Sequence, residues 1–217
     1  EKIGAACDAS HRRLGIETID LYYHHKYDPN VPLAESLGAM DALVKTGKVR
    51  AIGLSQYSAE RLDEAMRTAE ANGLMRPCAL QTWYNMVERP KLEGELRDTA
   101  LAHGMGIVPF YGLANGFLTG KYRSKDDLEK SVRGLRNVEY LEGRGMPVLE
   151  ALDRVAAETG AALATIALAW TIAQPGVTST LASATSVDQL RQSIAAMHLR
   201  LTPEQAWNEL LRGFALG

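Results

Sequence analysis

Five short stretches carry side chains suited to holding or activating a polar ligand: His24-His25, Ser55-Gln56, Gln81 with Tyr84-Asn85, Phe110-Tyr111-Gly112, and Ser183-Ala184-Thr185-Ser186. A neutral imidazole donates or accepts a proton near neutral pH, so the histidine pair is the natural place for acid–base or orienting work. Adjacent residues of an extended strand face opposite sides, so only one of the two histidines can address a given ligand unless the backbone bulges. Ser55, Gln56 and Gln81 both donate and accept hydrogen bonds, which suits a neutral amide or carbonyl ligand; capping a turn is the competing role. Phe110 offers either a flat face for stacking a ring or a core side chain. His11, His103 and His198 lack the mutual spacing of metal ligands, and no metal site is expected.

A second kind of chemistry is suggested by Gly116-Phe117-Leu118-Thr119-Gly120-Lys121. Glycines permit close backbone approach and a lysine follows them, an arrangement that can hold a phosphate. It lies in a stretch, residues 112–145, too long for an idle connection in a compact domain. That stretch holds Lys121, Arg123, Lys125, Lys130, Arg133 and Arg136, nearly balanced by Asp126, Asp127 and Glu129, so a solvated charged loop is the alternative.

These residues sit at the ends of apolar segments. Leu33, Leu37, Met40 and Val44 recur at helical spacing between Pro32 and Gly47; Leu62, Ala65, Met66 and Ala69 do so before Gly73. Helices are further expected up to Leu14-Gly15, over 90–104 with Leu92, Leu96 and Leu101 inward, and over 147–159 and 161–174. Strands are expected at 18–25, 49–54, 78–83, 106–111 and 177–181. Ser186-Val187-Asp188-Gln189 and Thr202-Pro203-Glu204-Gln205 have the form of capping boxes. Strand and helix thus alternate, which implies a parallel sheet covered by helices. No Gly-x-Gly-x-x-Gly turn follows any strand, which disfavours a dinucleotide-binding doubly wound sheet and favours a barrel. Only five strand–helix units can be found in the 217 residues, against the eight of a complete barrel of about 250 residues.

With 46% apolar and 23% charged residues the chain belongs to the globular class, and one domain spanning 1–217 is expected. Its 24 basic and 26 acidic residues leave a net charge of −2, which offers nothing to draw nucleic acid or anionic lipid. The longest apolar stretch, 161–173, is too short to cross a bilayer and includes Thr165 and Thr171, so no membrane partner is expected. Two cysteines, Cys7 and Cys78, without redox or zinc spacing fit a reducing, cytoplasmic compartment. The opening Glu1-Lys2-Ile3-Gly4 has neither an initiator Met nor a signal pattern, so the chain is expected to start inside a longer polypeptide.

The residues resemble those of the aldo-keto reductases. Asp20-Leu21-Tyr22-Tyr23-His24-His25 with Asp28-Pro29 is similar to the family's fourth strand and catalytic histidine. Gly47-Lys48-Val49-Arg50-Ala51-Ile52-Gly53-Leu54-Ser55 is similar to its fifth strand, and Gly116-Phe117-Leu118-Thr119-Gly120-Lys121-Tyr122 to the loop after its seventh. The likeness continues through Ala167-Leu168-Ala169-Trp170 and Ser183-Ala184-Thr185-Ser186-Val187-Asp188-Gln189-Leu190, nearly the whole chain.

The resemblance implies a (β/α)8 TIM barrel, of which this chain supplies roughly the last five units, with 112–145 as a loop covering the cofactor. It implies an NADP(H)-dependent oxidoreductase that reduces aldehyde or ketone carbonyls of a small-molecule substrate. His25 becomes the histidine that orients the carbonyl. Ser55, Gln56 and Gln81 would hold the nicotinamide carboxamide, and Phe110 would stack on the ring. Tyr111, Gly112, Leu113, Ala114, Asn115, Gly116 and Lys121 would line the pyrophosphate, with Arg133 toward the adenosine phosphate. Ser183, Thr185, Gln189, Gln192 and Ser193 would close over the adenosine. Gln56 stands where Asn is common, Tyr111-Gly112 where Ser-Pro is frequent, and Ser193 where Asn is usual. The family's Asp, Tyr and Lys, which tune and deliver the proton, belong to the first three strand units and have no counterpart here. Two alternatives stay open: a truncated or degenerate barrel that binds dinucleotide or a partner without catalysis, and a lyase or isomerase barrel, for which no strand end offers a general base apart from Asp28. Whether the protein forms a homo-oligomer is also open.

Overall fold

The computed structural model describes residues 2–209. The chain falls into two compact units, one made of residues up to 82 together with 92–108, the other of 83–91 and the residues from 109 onward.

The first unit alternates helix and strand: α1 (Lys2–Leu14), β1 (Ile19–His24), α2 (Leu33–Lys45), β2 (Val49–Ser55), α3 (Ala59–Ala71), β3 (Ala79–Trp83), α4 (Glu95–Ala102) and β4 (Gly106–Phe110). The strands form a parallel sheet in the order β1-β2-β3-β4, and β3 and β4 run on into the second unit at their carboxyl ends. Register sets Ile19 opposite Val49, His24 opposite Leu54 and Ser55 opposite Gln81, so the last residue of β2 lies beside the middle of β3 and one residue beyond the level of His24.

The helices form where the periodicity requires. In α2, Leu33, Leu37, Met40 and Leu43 are buried; Pro32 precedes the first turn, and Gly47 leaves in a left-handed conformation at φ 73° that only glycine takes without strain. Ser58 caps α3, accepting a hydrogen bond from Arg61 N at 3.2 Å, and Leu62, Ala65, Met66 and Ala69 face inward. Cys7, Ile19, Met40, Leu43, Val49 and Ile52 join α1 and α2 to the first two strands in one apolar cluster.

Two expectations for the first unit need correction. The predicted helix over 90–104 is interrupted: a 3-10 turn at Arg89–Lys91 precedes α4, and Gly94, at φ 94°, breaks the backbone between them. The shift changes which face is covered, leaving Leu92 and Ala100 buried and Leu101 43% exposed. The strand predicted over 106–111 ends at Phe110, because Tyr111 turns to φ 59°.

In the second unit, 112–145 is an organised segment with 3-10 turns at Ala114–Thr119, Lys125–Lys130 and Gly134–Asn137 and a short helix α5 (Val138–Glu142). Ser124 and Asp127 form a capping box, and Asp127 also accepts from Arg123 N at 2.7 Å. There follow α6 (Gly145–Thr159), α7 (Leu163–Ile172) and α8 (Val187–Ala195). Apolar on every side, α7 is buried on every side. Among the described residues no single helix is long and apolar enough to cross a membrane.

The fifth predicted strand, 177–181, is reduced to a single bridge residue, Val177. Leu181 N donates to Pro109 O at 2.8 Å and Thr180 Oγ1 reaches the same oxygen at 3.4 Å, but Pro109 has no N–H to return a bond, so no ladder develops. The capping box at Ser186 is half-formed: Ser186 Oγ accepts from Gln189 N, while Gln189 Oε1 accepts from Thr185 N rather than Ser186 N. The box at Thr202 and Gln205 is reciprocal, at 3.2 and 3.0 Å.

Candidate functional site

In the first unit the carboxyl ends of three adjacent strands bring His25, Ser55, Gln56 and Gln81 together. Ser55, fully buried, donates from Oγ to Gln81 Oε1 at 3.1 Å, and the Gln56 N–H is held by Gln81 O at 3.0 Å. The Gln56 amide nitrogen lies 3.2 Å from His25 Nε2. An amide N–H can only donate, so Nε2 accepts and the ring proton of His25 resides on Nδ1. Gln56 therefore meets His25 rather than standing free beside Ser55, and its backbone is left-handed at φ 58°.

One of the two histidines was expected to be structural, and the structure gives His24 a specific partner in the following turn. Its Nδ1 shares a 2.7 Å hydrogen bond with the Tyr57 hydroxyl. Burial, reinforced by the neighbouring His25, holds the His24 pKa below the ordinary histidine value, and burial pushes Tyr57 up to about 12. Both groups are therefore neutral at pH 7. The His-His doublet and the tyrosine directly after Ser-Gln were visible signals, but their pairing depends on a turn conformation that residue types do not encode.

In the second unit Phe110 and Tyr111, both half-buried, gather with Trp83. The ring centroids are 5.1 Å apart for Trp83–Tyr111 and Phe110–Tyr111, both edge-on, and 6.5 Å for Trp83–Phe110. Lys91 Nζ lies 5.8 Å from the centre of the Trp83 ring. Buried Asn85 ties this cluster down: Nδ2 donates to Tyr111 O at 3.0 Å, and Oδ1 accepts from Val87 N and Glu88 N.

The glycine–lysine segment folds back on itself. A Cβ added to Gly116 would stand 3.1 Å from Lys121 Nζ, so the ammonium lies against bare backbone. Ala114, Asn115 and Gly116 are consecutive left-handed residues, at φ 47°, 56° and 90°. Two non-glycine residues held there mark a segment whose surroundings enforce its shape. Gly112 and Ala114 are buried, Gly112 against Leu168 and Thr180, while Leu113, Asn115, Gly116 and Lys121 retain exposure. Arg133 is exposed beside Val132 and Leu135. Ser183, Thr185 and Gln189 are exposed; Gln189 joins Thr185 at the start of α8, while Gln192 O accepts from Thr165 and Ser193 Oγ bonds Gln189 O.

A model of the aldo/keto reductase family matches residues 1–210. The chain belongs to the aldo/keto reductase family. It is 32% identical over 204 residues to L-glyceraldehyde 3-phosphate reductase of Escherichia coli, covering 89% of this chain and 58% of that protein. It is 34% identical over 208 residues to aldo-keto reductase str7 of Strobilurus tenacellus, covering 92% and 59%. A probable voltage-gated potassium channel subunit beta of Arabidopsis thaliana is 32% identical over 202 residues, covering 90% and 62%. The chain thus spans about three fifths of the length of these curated relatives.

Membership of this family implies a nicotinamide dinucleotide, and the residues present fit one. Lys121 over the bare backbone of Gly116 suits an anionic phosphate. The Trp83 indole N–H and Asn115 Oδ1 are buried in these same segments without a partner, a donor and an acceptor that a polar ligand could engage. Ser55 and Gln81 supply the hydroxyl and amide chemistry that a carboxamide requires.

Proposed function

We propose that the chain carries the cofactor-binding and carbonyl-orienting part of an NADP(H)-dependent reductase built on a (β/α)8 barrel. It would convert aldehyde or ketone carbonyls of small molecules to alcohols in the cytoplasm. The observation that carries this reading is the hydrogen-bonded set His25, Gln56, Gln81 and Ser55 on three adjacent strand ends. Two names among the relatives, both reductases, favour the same chemistry.

In this reading Ser55 and Gln81 hold the carboxamide, Phe110 covers one ring face, and Leu113, Asn115, Gly116 and Lys121 receive the pyrophosphate. Arg133, Ser183, Thr185, Gln189, Gln192 and Ser193 serve the adenosine end. The bound dinucleotide supplies hydride. His25, with its proton on Nδ1, has one ring N–H to offer a carbonyl oxygen, and Gln56 fixes which nitrogen that is. Tyr22, Tyr23, Tyr57 and Tyr140 are all pushed upward, first by burial, the wrong direction for easy proton release. In the family the proton-delivering Asp, Tyr and Lys belong to the first three strand units.

A second reading, a dinucleotide-binding barrel without turnover, draws on relatives that are named as potassium channel subunits beta. Fluorescence titration of the full-length protein with NADPH, followed by assay against a panel of aldehydes, separates the two. Saturable binding with carbonyl reduction supports the reductase, binding alone supports the second reading, and no binding removes both. Lys121→Met should weaken NADPH affinity about tenfold, the loss of one charge-assisted contact.

A further inference from the structure

Strand β1 ends at His24 and His25 follows it directly, and each histidine holds one of two consecutive residues in the turn between β2 and α3. His24 bonds the Tyr57 hydroxyl at 2.7 Å; His25 accepts from the Gln56 amide at 3.2 Å. Gln56 lies between these ties at φ 58°, a backbone region that a side chain of its size occupies only when its surroundings enforce it. Two anchors enforce it here. The first is the Gln56 N–H on Gln81 O. The second is Tyr57, only 2% exposed, whose hydroxyl would be an orphaned polar group in the interior without His24. The Tyr57 ring is further braced by Tyr27 at 5.7 Å, itself under the Arg61 guanidinium at 4.7 Å.

We propose that His24 is a positioning residue: through Tyr57 it locks the turn after β2, so that Gln56 holds His25 in a single tautomer and orientation. Its consequence for turnover rests on the reductase reading; the link itself does not. An imidazole at a strand end without such a tie exchanges its proton between the two ring nitrogens. With Gln56 donating to Nε2, the proton stays on Nδ1. Release of Tyr57 frees the turn to leave its left-handed conformation, and Gln56 then withdraws from His25. His24 thus acts across two intervening residues without touching a ligand, and the doublet assigns one histidine to the scaffold and the other to the site.

The test is made on the full-length protein with ¹⁵N-labelled histidine, without cofactor, at about pH 8, where imidazoles are neutral. The imidazole nitrogens of His25 should report one tautomer, protonated at Nδ1, in the wild type. Tyr57→Phe should show exchange-averaged nitrogens, and His24→Gln, whose amide can still meet the phenol, should retain the wild-type pattern. In the aldehyde assay kcat/KM should fall about tenfold in Tyr57→Phe and stay within about twofold of the wild type in His24→Gln, a pattern that general loss of stability would not produce. The double variant His24→Leu/Tyr57→Phe removes both polar partners together and so protects the fold; if Tyr57→Phe does not fold, the double variant should show the same loss of a single tautomer. A folded Tyr57→Phe or double variant in which His25 keeps one fixed tautomer overturns the proposal. If the wild type neither binds NADPH nor reduces a carbonyl, the reductase reading falls while the histidine spectra still decide the link.

Discussion

Gly53 shows how narrowly the strand ends are shaped. It lies in the middle of β2, where glycine weakens a strand, and nothing about its φ demands it. The reason is Tyr23: a Cβ on Gly53 would stand 2.5 Å from Tyr23 Cε1 and 3.0 Å from Ala79 O. The tyrosine ring lies flush on the glycine opposite it in the register, and His24, with its tie to Tyr57, is the next residue of the same strand. Gly53→Ala should therefore destabilise the protein by about 1–3 kcal/mol through overpacking, seen as a lower urea midpoint. Residue types marked the His24-His25 doublet, Ser55 and Gln81, and the family resemblance singled out His25; the structure brings His25, Ser55 and Gln81 together, because neighbouring strands in register are a regular consequence of alternation. The Gln56–His25 and His24–Tyr57 contacts were not legible, since both depend on a non-glycine residue in a left-handed turn. The contact of Lys121 with Gly116 was legible only as a glycine-rich stretch followed by a lysine, since a solvated charged loop has the same composition.

At the scale of elements, the helices with several turns of apolar periodicity formed where that periodicity placed them, as in α2 and α3, where tertiary packing and propensity agree. Legibility failed where one residue outweighed the pattern. Gly94 shortened α4 and turned Leu101 outward; Pro109 denied the 177–181 segment the hydrogen bond that would have begun a ladder. The 112–145 stretch, legible only as long and charged, is built from short turns whose hydrogen bonds come from side chains such as Asp127 and Asn137. Asn85 performs that service for the aromatic cluster, joining the Tyr111 carbonyl to two N–H groups of the following turn while itself fully buried. Asn85→Ala strands all three and should cost roughly 2–4 kcal/mol in urea denaturation, with a change in Trp83 fluorescence as Tyr111 shifts.

For the molecule as a whole, the shifted groups divide into two sets that bound its stability in pH. On the acid side, Asp8 is held low by Lys48, Asp41 by Lys45 and the Met75 N–H, and Asp127 by Lys130 with the Arg123 and Ser124 N–H groups. Each folded-state pKa is below its unfolded value, so the unfolded chain takes up protons first and stability is lost as pH falls below the ordinary carboxylate range. His24 adds an earlier step: lowered by burial and by His25, it contributes stability that is complete above the ordinary histidine pKa and lost as pH falls through its folded value. On the alkaline side Cys7, Tyr22, Tyr23, Tyr57 and Tyr140 are raised, foremost by burial, so the unfolded chain releases protons first and stability declines as pH rises past their ordinary values. The urea midpoint should therefore be highest between roughly pH 7 and 8.5, fall gently toward pH 5, and fall steeply below about pH 4. His24→Gln cannot titrate, so it should flatten the gentle limb between about pH 7 and 5 while leaving the steep carboxylate limb in place. An unchanged slope in that variant would mean that His24 is protonated as easily in the folded chain as in the unfolded one, contrary to its burial against Tyr57.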